Sequence, residues 1–77
     1  MLDNRGYKMT VNDMISSCTT AVDIIEIIGN GKQLFEGTYA QTKNGQYVDC
    51  EVTTWHFYVS TYYGKEFNKL TFYVKSE

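Results

Sequence analysis

The 77 residues contain no proline, two cysteines, one histidine and one tryptophan. Two cysteines, Cys18 and Cys50, are too few for a disulfide framework or a structural zinc site. They are expected to be small buried thiols in a reducing compartment. No apolar stretch approaches the roughly 18 residues that a membrane helix needs, and the opening MLDNRGYK has no apolar core of the signal-peptide kind. A cytoplasmic protein with no membrane contact is the resulting expectation. The charge is nearly balanced, nine acids against seven bases, with no run of like sign. That argues against a nucleic-acid binder, whose phosphate contacts need clustered Lys or Arg, and against a dense acidic DNA mimic.

Chemistry is equally sparse. His56 is the only histidine, and a general base needs a nucleophile or an orienting carboxylate within reach. Gly29-Asn30-Gly31 lacks the spacing of a phosphate loop. Asp23, Glu26 and Glu36 have no histidine or third carboxylate at metal-binding spacing. No catalytic residue, cofactor or metal is expected, and the chain reads as a non-enzyme.

What is abundant is aromatic surface: seven Tyr, four Phe and one Trp. A chain this short buries a small share of its surface, and large rings bury more area per residue than aliphatics do. The absence of linkers, repeats and low-complexity tracts implies one domain, residues 9–77. Residues 1–8 read as a flexible arm, with Met9 an alternative start.

Thr10 is a natural N-cap with Asp13 three residues on, a shortened capping box. Val11, Met14, Ile15 and Cys18 then recur on one helical face. The β-branched Thr19-Thr20 should end this short helix. VDIIEII at 22–28 reads as a strand, Asn30-Gly31 as a two-residue hairpin turn, and QLFEGTYA at 33–40 as the return strand, with Gly37 as a bulge. Asn44-Gly45 closes either a second hairpin, the preferred reading, or a short helical excursion. YVDCEVTTWHFYVSTYY at 47–63 is too long for one flat strand, and its alternation changes phase at Thr53-Thr54, which implies a bulge or bend. Gly64-Lys65-Glu66 makes the next turn, and 67–75 the last strand. The expected fold class is α+β: one short N-terminal helix packed on a four-stranded antiparallel, meander-like sheet.

On that sheet Trp55, Phe57 and Val59 should join Leu70, Phe72 and Val74 against the helix, with Ile25, Ile27 and Phe35 at the ends of the core. The opposite face then carries His56, Tyr58, Ser60, Tyr62 and Tyr73. Aromatic pairs on a solvated face stabilise a sheet in their own right, and tyrosine is also enriched at interfaces. His56, Tyr58, Tyr62 and Tyr73, with Lys65 and Glu66 at the rim, are therefore the candidate partner-binding residues. Stacking of single-stranded bases on these rings is the weaker alternative, since few cations lie near.

The stretches MTVNDMISSC, VDIIEIIGNGKQLFEGTY and KLTFYVK resemble a loose group of small uncharacterised proteins from phages and mobile elements of Gram-positive gut bacteria. In that group a short helix precedes a hairpin with a Phe/Tyr-x-Gly-Thr-like step, here Phe35-Glu36-Gly37-Thr38. The segment 55–63 is more aromatic than in such relatives. The resemblance implies a protein that acts by stoichiometric binding, including inhibition of a host defence effector of the CRISPR type. A homo-oligomeric accessory or structural phage protein, self-associating through its tyrosine face, is the alternative.

Overall fold

A computed structural model describes residues 9–18 and 22–75; the expected arm at 1–8 lies outside them. The element order is α1 (Val11–Ser16), β1 (Ile24–Gly29), β2 (Lys32–Gly37), α2 (Tyr39–Lys43), β3 (Val52–Tyr62) and β4 (Lys65–Val74). The fold is α+β, with two small helices and one four-stranded mixed sheet.

α1 begins as its sequence dictates. Thr10 Oγ1 accepts the Asp13 N–H at 3.2 Å and Asp13 Oδ2 accepts the Thr10 N–H at 3.0 Å. This reciprocal pair satisfies two of the donors that a helix start leaves open. Val11 and Ile15 are buried on the face it turns to the sheet.

The sheet order is β2-β1-β4-β3, and here the meander expectation is corrected. β1–β2 and β3–β4 are antiparallel hairpins as expected, but β1 pairs parallel with β4, where a meander would have paired β2 with β3. The reason lies in composition. Every residue of IIEIIG in β1 is buried or half-buried, and a nearly continuous apolar run suits an inner strand covered on both faces. A meander would have left β1 at an edge. Instead β4 inserts beside it, so that Ile25 and Ile27 meet Leu70 and Phe72 in register. The core is Val11, Ile15, Ile25, Ile27, Leu70, Phe72 and Val74, with Phe35 and both cysteines partly buried against it.

The segment after β2 is the second correction. Asn44-Gly45 does not close a hairpin; it follows α2, a five-residue helix capped by Thr38. Thr38 and Gln41 form a second capping box, with Thr38 N–H donating to Gln41 Oε1 at 2.9 Å. The chain must pass from the β2 edge to the β3 edge, and a two-residue turn cannot span the two strands between them. Gly37 is not the bulge either. That irregularity falls at Leu34, between the pairs Ile27–Phe35 and Ile28–Gln33. Gly37 is needed for space: a Cβ there would sit 2.5 Å from Gln41 Oε1 and 2.9 Å from Phe35 Cζ. Gly37→Ala is expected to lose about 1–3 kcal/mol of stability, read as a fall in the urea midpoint with an unchanged m-value.

The phase change at Thr53-Thr54 is present as a register shift between the pairs Val52–Val74 and Thr54–Tyr73. Asn30 and Gly31 both have positive φ, as their turn requires.

Candidate functional site

The β3–β4 hairpin reaches beyond the rest of the sheet. β1 begins opposite Lys69, so the pairs from Val59–Asn68 to Tyr62–Lys65 have no third strand beside them. All the large exposed rings among the described residues except Tyr39 of α2 lie on this hairpin.

Trp55, Phe57 and Val59 share the helix-side face with Leu70 and Phe72, as their pairing requires. They are not core residues, contrary to expectation: Trp55 is 51%, Phe57 38% and Val59 56% exposed. α1 is only six residues long, and it covers the inner strands without reaching the outer one. Between them lies an open apolar groove of about 410 Å³, lined by Met14, Cys18, Trp55, Phe57, Leu70 and Phe72, with Ser17 at its polar margin.

The opposite face is divided. Its inner part is a polar network centred on Glu26. Thr71 Oγ1 donates to Glu26 Oε1 at 3.0 Å, Gln33 Nε2 to Oε2 at 2.7 Å, and Lys69 Nζ lies 3.2 Å from Glu26 and 3.4 Å from Glu36. Partial burial pushes the Glu26 carboxyl up, but the hydrogen bonds from Gln33, Lys69 and Thr71 outweigh this and hold it below the usual carboxylate value. The Glu26 hydrogen bond correspondingly raises Lys69 above the ordinary lysine value, against an opposing burial effect.

The outer part carries the sequence candidates. His56 and Tyr58 are exposed neighbours, their ring centroids 5.5 Å apart in an edge-to-face contact. His56 Nδ1 is 3.3 Å from the Trp55 carbonyl oxygen. Tyr73 shares this face but is half-buried, opposite Thr54 and Ile28. Lys65 and Glu66 are exposed at the hairpin end. Tyr62 is placed by its backbone opposite Lys65; its side chain lies outside the described residues. Tyr58, Ser60 and Phe67 border a shallow depression of about 310 Å³ that ends on Glu26 and Lys69. The structure thus brings His56 and Tyr58 together and places Lys65 and Glu66 at the tip, apart from Tyr73.

Sequence reasoning missed Tyr63. The turn is Tyr63-Gly64, one residue earlier than expected. Tyr63 has φ 52° and Gly64 φ 77°, and Tyr63 is 88% exposed. Positive φ at both turn positions matches the right-handed twist of a hairpin, but a bulky residue at the first position is uncommon there. The dipeptide Tyr-Gly before a new strand was the available signal, and Asn-Gly or Asp-Gly is the pattern normally trusted.

Among the described residues no group of three or more His, Cys, Asp or Glu side chains could hold a metal ion, and no helix is long and apolar enough to cross a membrane. Comparison with protein-family models, with curated proteins and with solved structures finds no match to this chain.

Proposed function

We propose that the protein is a non-enzymatic binding protein that engages another protein through the projecting end of its β3–β4 hairpin. The observation that supports this reading best is Tyr63. Tyr63 is 88% exposed and its backbone is held at positive φ, a conformation whose cost asparagine or glycine at the same place would avoid. Strain of this kind concentrates at functional positions. Tyr58 and Phe67 extend the aromatic surface behind it, and Lys65 and Glu66 supply a charged rim. An aromatic anchor within a polar rim is the usual layout of an interaction hot spot.

The resemblance to small phage and mobile-element proteins suggests the partner class: a host defence effector of the CRISPR type, blocked by occlusion in the bacterial cytoplasm. Titration of purified effector complex with the protein tests this. Cleavage should fall linearly and stop near equimolar ratio, with co-elution of the two. Inactivation by catalytic amounts, or absence of any complex, would sink the reading. Tyr63→Asn separates function from folding: stability should stay level or rise by about 0.5–1 kcal/mol, while inhibition is lost. The alternative of a self-associating accessory phage protein gains support from a different feature, the outer edge of β3, which no strand among the described residues pairs from Thr54 onward.

A further inference from the structure

Among the described residues β3 is an edge strand with little of the usual protection. Soluble monomers blunt an exposed edge by keeping it short, by placing charge or proline on it, by bulging it, or by covering it. β3 runs for 11 residues, VTTWHFYVSTY, and contains neither a charged residue nor a proline. Its bulge is confined to the start, at Thr53. Among the described residues only that end is covered: the Met9 carbonyl accepts the Val52 N–H at 2.8 Å, and Thr10 bridges Glu51. From Thr54 onward no strand among the described residues pairs with the outer edge.

The free stretch is symmetric in residue class about Phe57. His56 and Tyr58 flank it, then Trp55 and Val59, then Thr54 and Ser60. An antiparallel pair of identical strands sets each residue against its mirror position in the partner copy. We propose that the protein forms a two-fold dimer in which β3 pairs antiparallel with β3 of a second copy, centred on Phe57 and spanning Thr54 to Ser60. Phe57 then faces Phe57, Trp55 faces the second copy's Val59 on the groove side, and His56 faces its Tyr58 on the other side. No like charge meets across the axis, because the stretch carries no Lys, Arg, Asp or Glu. The pairing stops where Met9 already occupies the edge.

The area fits a weak, concentration-dependent dimer. A fully exposed aromatic side chain presents ~150–250 Å², so the exposed parts of Trp55, Phe57 and Tyr58 amount to on the order of 250 Å² per copy. With Val59 and the backbone edges, two copies cover on the order of 800 Å², below the ~1,200 Å² of stable specific interfaces and within the range of weak, transient ones. A second copy sets its Val59 beside Trp55 and its Phe57 beside Phe57, an apolar partner for each of these exposed rings.

This pairing goes beyond the foreign-partner reading and does not depend on it, since it uses the β3 edge and leaves the two Tyr63 tips pointing away from the axis. Sedimentation equilibrium of the full chain should show the mass rising from 8.9 kDa toward twice that value in the micromolar range. Phe57→Lys sets two ammonium groups face to face and should weaken association about tenfold or more, with circular dichroism confirming the fold. A register test uses exposed positions that leave the groove intact. Under mild oxidation, a mixture of Thr54→Cys and Ser60→Cys proteins should cross-link, and neither variant alone should exceed the wild-type background from Cys18 and Cys50. A chain that stays at 8.9 kDa into the millimolar range overturns the proposal. So does a Ser60→Cys protein that cross-links to itself as readily as to Thr54→Cys, because the axis would then lie elsewhere.

Discussion

Replacing Phe72 by alanine is expected to remove most of the stability of this domain. Phe72 is fully buried. In the sheet it lies between Ile27 of β1 and Trp55 of β3, and it belongs to the same core cluster as Val11 and Ile15 of α1. The truncation loses the transfer energy of the ring and leaves a cavity that two flanking strands cannot close, which costs about 3–5 kcal/mol. At roughly 0.05–0.15 kcal/mol per residue, a chain of this length has only about 4–11 kcal/mol in total. The thermal midpoint should fall by about 15 °C or more, since each kcal/mol shifts it by about 4–8 °C at this size. Phe72→Leu, which keeps most of the volume, should cost much less, about 1–1.5 kcal/mol. A Phe72→Ala protein that melts within a few degrees of wild type would show that the core does not centre on this residue.

The second large effect is expected at Lys69. Glu26 and Glu36 are direct cross-strand partners, an arrangement that is destabilising for like charges. Lys69 from the neighbouring strand bridges both carboxylates. Its side chain is 30% exposed and that of Glu26 14%, so the pair is screened less than a surface pair and more than a buried one. Lys69→Met should cost about 1–3 kcal/mol at neutral pH, and its pH profile should identify the cause. In the wild type the carboxyl of Glu26 is held below its ordinary value of 4.5. Its contribution is therefore complete above that value and lost as pH falls through the lowered one. Lys69 is raised above 10.5, so its contribution is complete below that value and lost as pH rises through the raised one. Both are present at neutrality. Without Lys69 the facing carboxylates favour uptake of a proton, and the variant should gain stability relative to wild type from pH 7 toward about 5. Parallel profiles for the two proteins, measured by urea melts, would refute this account.

The parts of the fold that follow from nearest neighbours were legible in the sequence. The Thr10–Asp13 capping box, the Asn30-Gly31 turn, the alternation of Leu70, Phe72 and Val74, and the phase change at Thr53 are each fixed by a few adjacent residues. Strand order was not, because the same β3–β4 hairpin is compatible with either strand lying next to β1. The information was present in β1 itself, whose unbroken apolar run suits an interior strand. Composition did not warn that α1 stops short of β3. Trp55, Phe57 and Val59 alternate correctly and face the correct side, yet the helix that should cover them is too short. For the site, His56, Tyr58, Lys65 and Glu66 were placed on the surface correctly, whereas Tyr63 was lost because the turn was read one residue late.

The parallel pairing of β1 with β4 also dictates when the protein can fold. The Thr71–Glu26 hydrogen bond joins residues 45 positions apart in the chain, and without β4 the β1–β2 hairpin has no strand linking it to β3. During synthesis, at about 5–20 residues per second, the β1–β2 hairpin must wait with the inner edge of β1 uncovered until β4 has been made. The last strand then enters the middle of the sheet and completes both halves at once. Long-range closure of this kind slows folding and makes it cooperative: β4 is the element on which the whole core waits.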